Sequence, residues 1–253
     1  MIHSFLLIGQ SNAAGRGFLT EAEPLDNCGG KLKVLRNGRW QNMFRPVNPD
    51  RSFSGTCFAE SFAKAYYADN SDVEVGIIPC ADGGTSLSQW MPGELLFDNA
   101  VFNAKLAIRT SHLIGILWHQ GEADCTPDNY VNYCERFKIM TDCLRKELNM
   151  PEIPIIVGGL GDFLPNHVSD ESLKNYKFVN EQLKKAANEC SFMAYTSAEG
   201  LKSNPENLHF CAEALNEFGL RYYEEFKKLD KKDLVFNEQD KLNDSKRSEM
   251  ESL

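Results

Sequence analysis

Residues 1–17 read MIHSFLLIGQSNAAGRG, and the apolar run within them stops abruptly at the tetrapeptide GQSN, residues 9–12. The run ends at Ile8 and is rich in Phe, Leu and Ile, a composition typical of a buried strand. The residues that follow are small, polar and rich in glycine, so the chain turns sharply at Ser11. Two interpretations stay open here: an ordinary loop that ends a strand, or a serine held as a nucleophile at the edge of a sheet.

Four more short runs of apolar and β-branched residues follow, with helical patterns between them. The strand-like runs are residues 73–79, 113–118, 153–157 and 192–196. The helical patterns are residues 58–68, 97–108, 172–188 and 212–227, and one more helix runs from Thr126-Pro127, a good N-cap followed by proline, through Leu144. This alternation predicts an α/β protein, a three-layer α/β/α sandwich around a flavodoxin-like sheet of about five parallel strands.

Two segments fall outside this alternation. Residues 20–54 are rich in Gly, Pro, Asn and Asp and contain no long apolar run, which predicts a long functional loop. Residues 230–253 are charged and show no periodicity. This composition predicts a mobile tail that follows a single domain of residues 1–229.

Charge and composition exclude several classes of protein. The chain has 253 residues and a net charge of −9, whereas binding to nucleic acid requires a basic face. No apolar stretch approaches the roughly 20 residues of a membrane-spanning helix, and no export signal is visible. Because the chain is long and shows no export signal, we expect a cytoplasmic protein whose eight cysteines are reduced thiols. None of them forms a C-x-x-C pair, so a structural zinc site has no support. The oligomeric state is left open.

Polar clusters follow two of the other predicted strands and precede the last helix. They are CADGGTSLSQW at residues 80–90, WHQGEAD at residues 118–124 and NPENLHF at residues 204–210. Each cluster alone has an ordinary structural explanation as a turn, a cap or a solvated loop. In parallel α/β sheets, however, ligands bind beyond the carboxyl ends of the strands. The predicted fold brings the first two clusters to the same edge as Ser11, and the third lies within reach of that edge.

Together these clusters contain the groups that acyl transfer requires. The reaction needs a nucleophile, a base within hydrogen-bonding reach, an orienting acid and donors for the developing oxyanion. Ser11, His209 and Glu206 are candidates for the first three. The backbone amides of Ser11 and Gly84, with the side-chain amide of Gln120, are candidates for the donors. The sequence therefore predicts a serine hydrolase.

Two other chemistries fit the sequence less well. GQSNAAGRG is a glycine-containing turn after a strand, as a phosphate loop is, but Arg16 follows Gly15 where that loop requires lysine and then Ser or Thr. His119, Glu122 and Asp124 are residue types that hold metals, yet acyl transfer needs no metal. We expect neither a metal nor a cofactor, and we expect Glu122 to stabilise the loop that carries Gln120.

At this point the motifs resemble a known family. GQSN, GGTSLSQW, WHQGEAD and the final histidine, in this order over residues 2–227, resemble the SGNH-type hydrolases. More narrowly they resemble the sialate O-acetylesterase-like and acetylxylan-esterase-like carbohydrate esterases of family six. The resemblance implies Ser11 as nucleophile, His209 as base, and Gly84 and Gln120 as oxyanion donors. It also implies that Trp90 lies near the substrate entrance, although a packing role is an equal alternative for a tryptophan at this position.

The resemblance implies a serine esterase that removes O-acetyl groups from a sugar of the sialic acid or xylo-oligosaccharide type. Gln10, Asn12, Trp90 and Glu122 are further candidates for substrate binding or for support of the site. The pattern departs from the family at one triad position, because Glu206 stands where aspartate is usual. An imperfect triad leaves a second hypothesis open, a catalytically weak or inactive sugar-binding protein on the same fold.

Overall fold

The computed structural model describes residues 1–229, in which seven strands form one sheet. The strands are β1 (Ile2–Gly9), β2 (Leu32–Arg36), β3 (Arg39–Asn42), β4 (Glu74–Pro79), β5 (His112–His119), β6 (Ile155–Gly158) and β7 (Met193–Thr196). They lie in the order β3-β2-β4-β1-β5-β6-β7, and all neighbours are parallel except β2 and β3. The five strands predicted from the sequence are confirmed, and their relative order is flavodoxin-like.

Helices cover both faces of this sheet. They are α1 (Ser11–Ala14), α2 (Phe58–Asp69), α3 (Leu95–Ala107), α4 (Pro127–Tyr130), α5 (Tyr133–Leu148), α6 (Tyr176–Asn188) and α7 (Ala212–Lys228). On one face α2 packs against α7, and on the other α5 packs between α3 and α6. The predicted three-layer sandwich is therefore confirmed. None of the helices within residues 1–229 is long and apolar enough to cross a membrane.

Aromatic rings fill the layer between the sheet and the α2–α7 pair. Phe5 of β1 makes edge-to-face contacts with Phe62, Tyr66 and Phe226, at centroid distances of 4.8, 4.9 and 5.4 Å. Such contacts stabilise a core beyond the burial of apolar area alone. They fasten α2 and α7 to the central strand, which ends at the Ser11 turn.

The segment predicted as a long loop contains a hairpin instead. Within residues 20–54, β2 pairs with β3 in antiparallel register and with β4 in parallel register. Asn37 and Gly38 form the turn, with φ of +50° and +76°, which is the conformation that an Asn-Gly hairpin adopts. The parallel part of the sheet therefore has six strands, and β3 adds an antiparallel edge.

Two other boundaries differ from the prediction. The helix expected from Thr126-Pro127 through Leu144 is interrupted at Val131–Asn132, because Asn132 has ψ +12° and leaves the helical conformation. The long apolar stripe of this segment belongs to α5, where Phe137, Met140 and Leu144 are buried. The predicted tail, residues 230–253, lies outside the described residues.

Candidate active site

The turn after β1 delivers Ser11 to the carboxyl end of the central strand. Gly9 has φ +127°, and a Cβ there would lie 2.0 Å from the carbonyl oxygen of His119 on β5. Only glycine allows the two strands to approach so closely at this point. Gln10 donates its backbone N–H to the same carbonyl at 2.9 Å, and α1 begins at Ser11. The serine is therefore fixed to both central strands.

Ser11, His209 and Glu206 form one hydrogen-bonded series. His209 Nε2 lies 3.0 Å from Ser11 Oγ, and His209 Nδ1 lies 2.9 Å from Glu206 Oε1. An ionised carboxylate only accepts hydrogen bonds, so Nδ1 carries the proton and Nε2 presents its lone pair to the hydroxyl. This is the tautomer that a general base for Ser11 requires. The extra methylene of Glu206 does not prevent the contact.

The surroundings of His209 keep its imidazole neutral. Burial lowers the pKa of His209 below its usual 6.5, and this outweighs the hydrogen bond from the imidazole to Glu206 and the charge of Glu122, which both raise it. The positive charge of Arg16 lowers the pKa of His209 further. The side chain of His209 is 18% exposed and that of Glu206 is 38% exposed. A neutral, accessible imidazole is the form that accepts a proton from a serine.

The loop that carries the histidine is tied to the turn that carries the serine. Asn204 donates its backbone N–H to His209 O at 2.7 Å and its side-chain amide to Arg16 O at 2.9 Å. His167 Nδ1 lies 2.7 Å from Glu206 O and holds the other side of the loop. The base is therefore positioned by backbone contacts from two directions.

The backbone amides of Ser11 and Gly84 are the two candidates for oxyanion donors. Within residues 1–229, neither the amide of Ser11 nor that of Gly84 donates a hydrogen bond to another residue. Gly84 has φ +78°, a conformation that favours glycine. The preceding residue is close to the serine, since a Cβ at Gly83 would lie 3.4 Å from Ser11 Cβ.

A buried ion pair that the sequence analysis missed holds this glycine turn. Arg16 and Asp50 form two parallel hydrogen bonds of 2.7 and 3.0 Å, and both side chains are about 5% exposed or less. Asp50 Oδ2 also accepts the amide of Gly83 at 2.8 Å. Asp50 comes from the segment predicted as a loop, and no local pattern indicates that it meets Arg16.

Gln120 is placed differently from the prediction. Its side chain is fully buried, and Nε2 lies within hydrogen-bonding distance of Gln10 Oε1 (3.1 Å), Thr85 O (3.0 Å) and Asp124 Oδ2 (2.6 Å). Two amide hydrogens face three acceptors, so the side chain has no hydrogen left for an oxyanion. Gln10 likewise points inward and links Gln120 to the backbone amides of Gly121 and Ala123.

Comparison with known proteins agrees with the motifs. The family described as "Carbohydrate esterase, sialic acid-specific acetylesterase" matches residues 1–228. The chain belongs to this carbohydrate esterase family. The match extends from β1 to the last residue of α7, so all the site residues described above lie within it.

Several proteins are similar to this member of the carbohydrate esterase family. "Probable carbohydrate esterase At4g34215" of Arabidopsis thaliana is 27% identical over 244 residues, 85% of this chain and 86% of that protein. The X-ray structure of the Arabidopsis protein gives a TM-score of 0.79 at 23% identity, covering 90% of this chain and 99% of its own. NanS gives 0.70 at 16% identity, covering 90% and 97% of the two chains. XAC1771, a carbohydrate acetylesterase from Xanthomonas citri, gives 0.67 at 20% identity, with coverage of 90% and 56%. These structural similarities show a shared fold.

In this carbohydrate esterase family member Trp90 packs in the core. Its side chain is 1% exposed and meets Trp118 edge to face at 5.5 Å. Its Nε1 donates to Thr85 Oγ1 at 3.0 Å. The short 3-10 turn Leu87–Trp90 packs against α3 and α5, and the indole is buried in the core.

Acidic side chains of the HQGEAD cluster, residues 119–124, hydrogen-bond to residues around the site. Asp124 bonds to Gln120 and also accepts the amide of Leu87 at 2.8 Å. Glu122 bonds to Asn12 at 2.5 Å, and its Oε1 lies 3.8 Å from His119 Nδ1. Across residues 1–229, no group of three His, Cys, Asp or Glu side chains is arranged to hold a metal ion.

Proposed function

We propose that this protein is a serine esterase that removes O-acetyl groups from a carbohydrate. The observation that carries the proposal is the series Ser11 Oγ, His209 and Glu206, joined at 3.0 and 2.9 Å and accessible at one end of the sheet. Membership of a carbohydrate esterase family supports the reaction class. The residue roles below are part of the proposal.

In the first half of the reaction, Ser11 Oγ attacks the carbonyl carbon of the acetyl ester while its proton moves to His209 Nε2. The amides of Ser11 and Gly84 donate to the oxygen that becomes negative. Glu206 holds Nδ1–H and stabilises the imidazolium as it forms. His209 then gives its proton to the sugar oxygen, which leaves as a hydroxyl, and an acetyl-serine remains.

In the second half, water takes the place of the sugar. His209 Nε2 accepts a proton from the water as its oxygen attacks the acetyl-serine carbonyl, and the same amides stabilise the second oxyanion. Collapse of this intermediate returns the proton from His209 to Ser11 Oγ and releases acetate. Besides the ester and water, the proposed cycle uses the chain's own side chains and amides.

The substrate proposal is a small acetylated sugar of the sialic acid or xylo-oligosaccharide type. The family's description names sialic acid, and XAC1771 is described as a carbohydrate acetylesterase, which supports a sugar over a lipid. The cytoplasmic location expected from the sequence stays a prediction. A screen of acetate release from acetylated sialic acids, acetylated xylo-oligosaccharides and acetylated chitin fragments distinguishes the sugars.

The test of the function is the variant Ser11→Ala. We expect the parent protein to release p-nitrophenol from p-nitrophenyl acetate, and the variant to lose roughly 10⁴-fold or more in kcat. A fluorophosphonate should label the parent at Ser11 only. Ser71→Ala, which alters an exposed serine in the turn before β4, is the matched control and should keep the parent rate.

Two results contradict the proposal. Turnover by Ser11→Ala at the parent rate removes the serine from the mechanism. A parent protein that binds an acetylated sugar but releases no acetate is a sugar-binding protein on an esterase fold, the second hypothesis raised by the sequence.

A further inference from the structure

The side-chain amide of Asn12 hydrogen-bonds to the backbone on both sides of His209, the candidate base. Nδ2 donates to Leu208 O at 3.2 Å, and Oδ1 accepts the amide of Phe210 at 3.1 Å. These two backbone groups flank His209 on either side. Asn12 is also the residue directly after Ser11 and is only 2% exposed. One buried amide therefore joins the nucleophile turn to the loop of the base.

Glu122 determines which way that amide faces. Its Oε1 accepts the second hydrogen of Asn12 Nδ2 at 2.5 Å, and the glutamate is 3% exposed. If the amide were reversed, its oxygen would face both Leu208 O and a carboxylate, and neither can donate. The carboxylate therefore locks Asn12 in the orientation that holds residues 208 and 210.

We propose that Asn12 and Glu122 form a positioning pair that keeps His209 in register with Ser11, and that the buried Glu122 carboxylate serves as a second acid for its imidazolium. The inference rests on the proposed function and adds two residues to it. Both residues hold the His209 loop in place, and the charge of Glu122 also acts on the imidazolium without contacting the reacting atoms.

The negative charge of Glu122 favours the imidazolium of His209, because few groups near Glu122 offset that charge. Within residues 1–229, its Oε2 accepts no hydrogen bond, and burial lowers the pKa of the neighbouring His119, which is therefore neutral. The titratable and charged groups that interact with Glu122 or His209 are Arg16, His119, Asp124, Cys125, Tyr133, Glu206 and Tyr222. Of these, Arg16 alone carries a full positive charge at neutral pH, and it forms its ion pair with Asp50.

Two single variants and their combination test the pair. Glu122→Gln keeps an oxygen for Asn12 Nδ2 and removes only the charge, so kcat/KM should fall by roughly 10-fold or less. Asn12→Asp removes both donors and places a carboxylate against Glu122, so His209 should shift and kcat/KM should fall by roughly 10²-fold or more. In the double variant the new amide at position 122 donates to the new carboxylate at position 12. The double variant should therefore be more active than Asn12→Asp alone, a coupling that independent sites do not show.

A titration of His209 by NMR on protein labelled with ¹⁵N-histidine needs no turnover. The chain has five histidines, and the resonance missing from His209→Gln assigns the one of interest. Removing a negative charge disfavours the imidazolium, so Glu122→Gln should lower the pKa of His209. Asn12→Asp adds a negative charge and should raise it. Glu213→Gln, an exposed change at the start of α7, should leave it unchanged.

The results separate the two proposals. An unchanged His209 pKa in Glu122→Gln, or a double variant no more active than Asn12→Asp, overturns the positioning pair. If the parent has no esterase activity, the proposed function fails, and the NMR titration alone then decides the pair. If Asn12→Asp does not fold, a folded double variant supports the pair, and a double variant that also fails to fold contradicts it.

Discussion

His209 Nε2 lies 3.0 Å from Ser11 Oγ, although 198 residues separate the two in the chain. One follows the first strand and the other precedes the last helix. The sheet brings them together because β1 is central and α7 crosses back over the face that α2 covers. The hydrogen bonds among Ser11, His209 and Glu206, and the contacts around them, determine how activity and stability should respond to pH and to single substitutions.

The first prediction concerns pH. Burial sets the pKa of His209 below 6.5, so the base stays neutral down to that lower pKa and becomes protonated beneath it. The acidic limb of kcat/KM should therefore have an apparent pKa below 6.5, with full activity at pH 7. A pH–rate profile in a constant-ionic-strength buffer checks this. A profile that is flat through the acidic range would remove His209 as the base.

The second prediction concerns the unusual acid. Glu206→Gln keeps an acceptor for Nδ1–H but removes the charge that stabilises the imidazolium. We expect a kcat loss smaller than the roughly 10⁴-fold seen when the triad acid of a serine protease becomes an amide, because Glu206 is partly exposed to solvent. The apparent pKa of the acidic limb should also fall, since Glu206 raises the pKa of His209.

Glu206→Asp measures the fit of the longer side chain. His167 and Asn204 fix the backbone of this loop, so the shorter aspartate lies further from His209 Nδ1. We therefore expect the kcat of Glu206→Asp to lie between that of the parent and that of Glu206→Gln. Glu199→Gln, at an exposed position, is the control. Parent activity in Glu206→Ala would show that the imidazole is oriented by another group.

The third prediction concerns Gln120, whose amide is committed to buried partners. Gln120→Ala should lower the free energy of unfolding by about 1–3 kcal/mol, because buried acceptors on Asp124 and Gln10 lose their donor. Urea unfolding measures this, with Gln41→Ala on the exposed edge strand as control. A kcat loss of roughly 10²–10³ with unchanged stability would instead identify the amide as an oxyanion donor.

The fourth prediction concerns the ion pair beneath the glycine turn. Burial alone would raise the pKa of Asp50, but hydrogen bonds from Arg16 and Ser54 outweigh it, and the pKa lies below 3.8. The carboxylate therefore contributes stability above pH 3.8 that is lost as pH falls through its folded-state pKa. Asp50→Asn should remove this dependence and, by leaving Arg16 buried without a counter-charge, cost about 3 kcal/mol.

The matched control for Asp50→Asn is Asp26→Asn, which breaks an exposed ion pair with Lys64. Its effect on the free energy of unfolding should be much smaller. Chemical unfolding of the three proteins at pH 7 and pH 3.5 compares them. Equal stability of Asp50→Asn and the parent at both pH values would contradict the structural role of the pair.

The fold was predictable where strands are buried on both faces. Such strands read as continuous apolar runs, as at β4 and β5. β2 and β3 were not predicted. The sequence of β3, RWQN, is polar and mostly exposed because this strand lies at the edge of the sheet. The Asn37-Gly38 turn between them was the signal that could have identified the hairpin.

The candidate site was predictable where its residues lie in short motifs. Ser11, Gly84, Glu206 and His209 stand at strand or helix ends, where the topology alone brings them together. The contacts that position them are long-range and leave no local pattern. Asn12, for example, lies in GQSN, but its partner Phe210 is 198 residues away. Burial is equally hard to predict, and for this reason the sequence left two alternatives open for Trp90, of which the structure has the packed one.

The central position of β1 also bears on when, during folding, the proposed reactivity of Ser11 arises. Its two partners in the sheet, β4 and β5, are both synthesised after it, and the loop that carries the base follows all seven strands. A nascent or refolding chain therefore contains Ser11 long before anything can activate it. A serine-directed label should react only with chains in which His209 has reached Ser11. The time course of labelling during refolding would then report completion of the whole domain, whereas circular dichroism reports the growth of its parts.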